Sequence, residues 1–473
     1  MVEFGMCLVI IPEQIFGVYV SKSLVFQGGT LLLYEVDQNA EVPAPFQWIK
    51  ARWRCEGFHY PTLIGWLHEK GITNSLPRWQ HLDLTLHDLR EPHDYQVTAL
   101  DAWEQADRHG SIVLPTGAGK TFVAIHAIQR VNRSTLVVAP TIDLLHQWYA
   151  RLVNAFKTEV GVYYGGEKIV HPLTVTTYHS AGDLIANHGN LFKLIIFDEV
   201  HHLPAPSWGE MALMSPSPLR LGLTATYPDE WEQANSKWHI DDLIGPIVFE
   251  QRIDDLIGAQ LAEYRTERIH VDLTDAERSL YDADYAIYSD YFRSNQLPQK
   301  HGRYWLQEMM RQGAFDTEAR AALLARLRLI RLLSQAENKL AMLEALLKEY
   351  AHEQSLIFTE SNVAVYHIAR RHLVPALTHE TNAAERKHIL DEYQAGNYRT
   401  IVTSRVLNEG IDVPEAKVAI VLGGTASARE YIQRLGRVLR KAGSRQAYLF
   451  EVLVRDSVEV GRSQRRRSSH VDR

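Results

Sequence analysis

The stretch "SIVLPTGAGKT" at residues 111–121 constrains the fold more than any other in the chain. An apolar run, a glycine-bearing turn and the amphipathic start "KTFVAIHAI" follow one another, the strand–loop–helix order in which backbone N–H groups cradle a phosphate. The pattern G-x-x-x-x-G-K-[ST] wants glycine where Leu114 stands, but Gly119, Lys120 and Thr121 match the rest of it. Gly117 and Gly119 allow close approach of backbone to phosphate after Thr116, Lys120 would reach the β and γ phosphates, and Thr121 would hold Mg2+. The expectation is a site for ATP with Mg2+.

Around this loop, "SIVLPT", "STLVVAPT", "LTVTTY", "LFKLIIFDE" and "RLGLTAT" are short continuous apolar runs between helical or polar stretches. Continuous runs predict strands buried on both faces of a parallel sheet. A second series, "QSLIFTES", "YRTIVTS", "KVAIVLGG" and "QAYLFEVL", predicts a second α/β lobe. Residues 272–350 between them are rich in Leu, Ala, Arg and Glu and read as helical. There, Tyr281, Tyr285, Tyr288 and Phe292 share one helix face, for packing or for stacking on bases. Residues 28–85 form a smaller unit, with alternation in "TLLLYEV" and the helix-like "YPTLIGWLHEKGI".

With 473 residues the chain has room for roughly three domains of about 150 residues each. Its net charge of −7 argues against a chain basic throughout, so nucleic acid would need a local groove. Two cysteines allow neither a disulfide framework nor a four-cysteine metal site, and point to a reducing, cytoplasmic setting. The apolar N-terminal run is interrupted by Pro12 and Glu13 short of the ~20 residues of a membrane span. No membrane association is expected.

"LIIFDEVHH" ends an apolar run with Asp198 and Glu199, and ligands of open α/β sheets gather at the carboxyl ends of strands. Asp198 suits the magnesium shell, and Glu199 suits the base that orients and deprotonates the attacking water. His201, then Thr224 and Thr226 of "GLTAT", could relay the state of the γ-phosphate. In "YIQRLGRVLRK", Gln433, Arg437 and Arg440 fall on one face of a helix, placed to supply arginine fingers from the second lobe.

The order of "DYQ" (94–96), the phosphate loop, "APT", "TTY", "DEVHH", "TAT", "IFTES", "THET", "TSRVLNEGIDVPEA" and "QRLGRVLR" resembles superfamily 2 helicases. Over about residues 28–467 it looks like the archaeal and bacterial XPB-like DNA repair helicases. The resemblance implies two RecA-like parallel-sheet lobes, a small N-terminal damage-recognition-like domain and a helical thumb-like insertion. The implied divisions are an extension (1–27), the small domain (28–85), lobe 1 (86–250), lobe 2 (251–460, with the thumb at about 272–335) and a basic tail (461–473).

It also implies ATP-driven 3'-to-5' movement on single-stranded, forked or damaged DNA in nucleotide excision repair, beside a possible nuclease partner. By motif, Gln96 would contact adenine, and Gly410 and Asp412 would join Gln433, Arg437 and Arg440 in completing the site. Thr141, Thr177, Thr378 and Thr403 would contact the nucleic-acid backbone. Where such helicases often carry Arg-Glu-Asp after T-A-T, this chain reads "TATYPDEWEQ". Either Trp231 with Asp229 and Glu230 replaces that wedge, or strand separation is weak while ATP hydrolysis persists. The rivals are an RNA-acting superfamily 2 enzyme and an ATP-gated scaffold that marks damaged DNA and recruits a nuclease.

Overall fold

The computed structural model describes residues 22–76, 79–228, 236–251, 264–301, 305–359, 361–404, 416–423 and 447–461. Strands β1 (Ser23–Gln27) and β2 (Thr30–Tyr34) form a hairpin around Gly28 and Gly29. Both glycines have positive φ (59° and 74°), which a two-residue hairpin turn demands. β3 (Gln47–Ile49), β4 (Arg52–Glu56) and β5 (Thr73–Asn74) complete a sheet of order β3-β4-β2-β1-β5. Helix α1 (Tyr60–Glu69) packs Tyr60, Leu63 and Leu67 against Leu24, Leu31 and Leu33 of the hairpin. The small unit thus includes Ser23, and a boundary at residue 28 would cut this hairpin at its turn.

The next unit alternates strand and helix: α2 (Asp94–Gln105), β6 (His109–Val113), α3 (Lys120–Val131), β7 (Thr135–Ala139), α4 (Ile142–Phe156). β8 (Gly161–Tyr164), β9 (Glu167–Ile169), β10 (Leu173–Thr177), α5 (Tyr178–His188) and β11 (Leu194–Asp198) follow. α6 (Pro206–Met214), β12 (Leu219–Thr224) and β13 (Ile247–Glu250) end it. The sheet order is β13-β6-β12-β11-β7-β10-β8-β9, parallel except for β9. Every residue of β7, β10 and β11 is buried. Alternate residues serve opposite faces: Val137 and Ala139 pack with α2, α3 and α4, Leu136 and Val138 with α5 and α6.

Among the described residues the second lobe has six parallel strands in the order β14-β19-β18-β15-β17-β16: β14 (Tyr264–Val271), β15 (Ser355–Thr359), β16 (Ala376–Leu377), β17 (Thr400–Thr403), β18 (Val418–Leu422) and β19 (Ala447–Val454). Between β14 and β15 stand helices Asp275–Ser294, Leu297–His301, Trp305–Gln312, Thr317–Gln335 and Glu337–Glu349. The first is started by a capping box of Thr274 and Glu277. Its aromatic face is turned to packing. Tyr281 is buried and stacks on Tyr285 at 5.7 Å, and the edge of Phe292 meets Trp305 at 5.0 Å.

The three units meet at two unlike junctions. Between the small unit and lobe 1, a Cβ on Gly57 would lie 2.2 Å from the Met214 carbonyl oxygen, so backbone packs directly on backbone. Beside it the buried Arg220 guanidinium lies 4.6 Å from the Phe58 ring and donates to the carbonyls of Ala212, Ser215 and Leu243 at 3.0, 2.7 and 2.9 Å. Between the lobes, Arg386 Nη1 donates to Asp143 Oδ2 at 2.9 Å, and Nη2 holds the carbonyls of Thr378 and Thr381. No helix of the described residues is long and apolar enough to cross a membrane.

Candidate nucleotide site

The loop between β6 and α3 explains its own departure from the glycine pattern. Leu114 is buried in the core, and its N–H donates to Thr224 O at 2.9 Å, so this residue prolongs the sheet rather than opening the loop. The glycines that matter come later, with Gly117 at φ 89° and Gly119 at φ 82°. A Cβ on Gly119 would sit 2.4 Å from Gln96 Nε2, so only glycine fits there.

Gln96 is the second support of the loop. Its Oε1 accepts from His93 N at 3.0 Å, closing a capping box at the start of α2, and its Nε2 donates to Ala118 O at 3.0 Å. Tyr95 Oη donates to the same carbonyl at 2.8 Å. Beside them Arg90, paired with Asp88 at 2.9 Å through Nε, lies over the Phe122 ring at 5.1 Å. No motif around this arginine marks it in advance.

Lys120 and Thr121 open α3 and, with Thr116, Gly117, Gly119, Asp198 and Glu199, line a cleft of about 650 Å³. The two carboxylates come from the carboxyl end of β11, whose neighbours β7 and β12 flank it. Asp198 is buried. Its Oδ2 accepts from Trp148 Nε1 at 2.8 Å, its Oδ1 from Glu199 N at 3.1 Å, and its backbone carbonyl from Tyr178 Oη at 3.1 Å. Burial, and then the neighbouring Glu199 charge, push the Asp198 carboxyl up to about 6, while the Trp148 hydrogen bond and Lys120 pull it down.

Glu199 is held in the left-handed region (φ 48°), a conformation that costs a non-glycine residue energy and that concentrates at functional positions. Its Oε1 lies 3.9 Å from Lys120 Nζ and its Oε2 3.4 Å from His201 Nδ1. His201 Nδ1 is also 2.9 Å from Thr224 Oγ1. The Thr224 hydroxyl spends its proton on Thr226 O at 2.7 Å and accepts from Thr226 N at 3.1 Å, so the proton facing it belongs to His201 Nδ1. Lys120, Glu199, His201, Thr224 and Thr226 therefore form a continuous polar chain from the phosphate loop to the end of β12.

The four threonines expected at the nucleic-acid backbone separate into two groups. Thr141 lies two residues after β7, and Thr177 is the buried last residue of the adjacent parallel strand β10, aligned with Ala139 at the carboxyl ends of these strands. Thr141 caps α4 by accepting from Leu144 N at 3.3 Å. Thr378 and Thr403 are fully buried. The Thr378 hydroxyl meets Tyr366 Oη at 3.0 Å and accepts from Glu380 N at 3.2 Å, and that of Thr403 donates to Ser404 O at 3.1 Å. Both hydroxyls are thus engaged within their own loops. Gly410, Asp412, Gln433, Arg437 and Arg440, like Asp229, Glu230 and Trp231, lie outside the described residues.

Residues 89–229 match the family described as type III restriction enzyme, res subunit, and residues 338–442 the helicase conserved C-terminal domain. The chain is 38% identical to "DNA 3'-5' translocase XPB2" of Sulfurisphaera tokodaii, over 84% of this chain and 88% of that one. It is 31% identical to "DNA 3'-5' helicase XPB" of Mycobacterium tuberculosis, over 78% of this chain and 61% of that one. The Arabidopsis thaliana "General transcription and DNA repair factor IIH helicase/translocase subunit XPB2" is 24% identical over 93% of this chain, which spans 55% of it. Among solved structures, the Pyrococcus furiosus Hef helicase domain superposes with a TM-score of 0.51 at 18% identity, covering 80% of this chain and 99% of that one, a likeness of fold.

Proposed function

The chain belongs to the XPB family of superfamily 2 DNA helicases, and from that premise we propose that it hydrolyses ATP to move 3'-to-5' along DNA in a repair setting of the nucleotide-excision kind. The observation that carries this reading is the polar chain joining Lys120 to Thr226, because a motor must convert the state of a phosphate into the position of a strand end.

In this reading the Gly117–Gly119 backbone cradles the phosphates, Lys120 neutralises the β and γ groups, and Gln96 fixes the loop while its remaining donor meets adenine. Thr121 and Asp198 hold Mg2+. The donor set suits that ion: among the described residues no cluster of three or more His, Cys, Asp or Glu forms a protein cage, and magnesium is usually held by one or two carboxylates plus phosphate and water. When bound, the ion offsets charge on the phosphates. Glu199 orients the attacking water and takes its proton, its strained backbone holding the carboxylate between Lys120 and His201. His201 and Thr224 pass the change to Thr226 at the end of β12. Gln433, Arg437 and Arg440, with Gly410 and Asp412, complete the site from the second lobe when the lobes close.

DNA would run past the carboxyl ends of β7 and β10, where Thr141 and Thr177 stand, bound through its backbone and therefore strongly weakened by salt. The unit from Ser23 to residue 85 would serve damage recognition, and a nuclease would be the partner that cuts. The test is steady-state ATP hydrolysis alone and with single-stranded DNA, forked duplex and RNA. DNA should stimulate turnover, RNA should not, Lys120→Ala should abolish it, and Glu199→Gln should lower kcat by about 10²–10⁴-fold. Equal rates with and without every nucleic acid would contradict the reading, and stimulation by RNA alone would replace it with the RNA-acting rival.

A further inference from the structure

We infer that Trp148 is a positioning residue for the ATPase site: its indole N–H, from the middle of α4, fixes the orientation of the Asp198 carboxylate toward the cation that this carboxylate holds. The inference rests on the reading of Asp198 as a magnesium ligand.

A carboxylate at a strand end rotates freely about its last torsion, which has broad, two-fold wells. Here two N–H groups pin it, one on each oxygen: Trp148 Nε1 on Oδ2 at 2.8 Å and Glu199 N on Oδ1 at 3.1 Å. The second comes with the turn itself. The first is contributed by a residue fifty positions earlier, on a helix that reaches β11 across the sheet.

The choice of donor has chemical content. An indole N–H only donates, and it carries no charge. A lysine or arginine in its place would compete with a cation for the carboxylate, and a hydroxyl could turn to accept instead. Trp148 does neither, so it orients the oxygen without neutralising it. Its ring is 1% exposed and packed into the lobe 1 core with Leu145 and Leu152 of the same helix, so its direction is set before any ligand arrives. Partners that orient metal ligands in this way are typically worth about 10–100-fold in metal affinity or activity.

The test uses the full chain and reads nucleotide binding, with a fluorescent ATP analogue titrated in EDTA and across a magnesium series. Two replacements remove the N–H: Trp148→Phe, and substitution at position 148 alone by β-(3-benzothienyl)alanine, which keeps the bicyclic shape and places sulfur where the N–H was. The expected result is a rise of about 10-fold or more in the magnesium concentration that half-saturates the metal-dependent part of binding. Affinity in EDTA should change less than about twofold, since phosphate contacts with the loop are untouched. In an Asp198→Asn background, Trp148→Phe should add little further loss, because Trp148 acts only through that carboxylate. If Trp148→Phe does not fold, the benzothienyl protein decides alone. An unchanged magnesium dependence in the benzothienyl protein, or an equal loss in EDTA, overturns the inference while leaving the nucleotide site standing. An unmodified protein whose nucleotide binding ignores magnesium overturns the site reading and this inference together.

Discussion

The junction between the small N-terminal unit and lobe 1 and the junction between the two lobes are built by opposite means. At the first, glycines remove side chains so that backbone meets backbone, and a fully buried guanidinium satisfies three carbonyls beneath an aromatic ring. At the second, Arg386 and Asp143 form an ion pair whose carboxylate remains 39% exposed. Backbone packed directly on backbone, with the Phe58 ring set over the Arg220 guanidinium, leaves little room for the seam to slide, whereas a partly exposed ion pair is worth at most about 1 kcal/mol. The difference leads to a prediction about which parts move together: the N-terminal unit should travel with lobe 1, and the boundary between the lobes should be the one that ATP remakes.

That contrast can be broken from its strong side first. Arg220→Met should strand the carbonyls of Ala212, Ser215 and Leu243 and cost about 3–5 kcal/mol, seen as a fall of several degrees in the first thermal transition. A loss below about 1 kcal/mol would mean that these three hydrogen bonds do not support the lobe 1 surface on which Phe58 sits. Gly57→Ala places a methyl against the Met214 carbonyl and should cost about 1–3 kcal/mol through backbone displacement. If it is neutral in chemical denaturation, the two units do not pack as described. Asp143→Arg, at the more exposed partner, should change stability by no more than about 1 kcal/mol, yet alter DNA-stimulated ATP hydrolysis, because it acts on closure. Restoration by the exchanged pair Asp143→Arg with Arg386→Glu, measured as turnover, would tie the effect to this contact. Failure of the exchange to restore it would place the effect elsewhere.

The gentlest probe is Cys55, buried in β4 next to the rigid junction. Burial, reinforced by the charge of Glu56, pushes its thiol from 9.0 up to about 12. The sign follows directly: the folded state keeps the proton that the unfolded state has already lost in about a tenth of molecules at pH 8, so there the native thiol should be alkylated about a thousandfold more slowly than an open one. Rapid labelling of native Cys55, followed by peptide mass spectrometry, would show that the unit opens often and that the rigid-body view is wrong.

How much of this could be read from residues alone depended on how local each interaction is. The phosphate loop and "FDEVHH" were legible because strand, turn and helix are contiguous and carry their own periodicity. Even the missing glycine had a local reason, Leu114 being the last rung of a sheet rather than the first of a loop. Trp148 and Arg220 were not legible, since a tryptophan on an apolar helix face and an arginine within a strand look like ordinary residues until partners far along the chain are placed. Gly28 and Gly29 were read as the edge of a domain when they are the turn of its first hairpin, a signal that two adjacent glycines between apolar runs do carry.

The most direct test of the central claim, that ATP turnover at the Lys120 site drives directed movement on DNA, is displacement of streptavidin from oligonucleotides biotinylated at one end. The account predicts ATP-dependent release from the 5' end, none from the 3' end, and none from either with Lys120→Ala. Release from the 3' end, or DNA-stimulated hydrolysis with release from neither end, would contradict it.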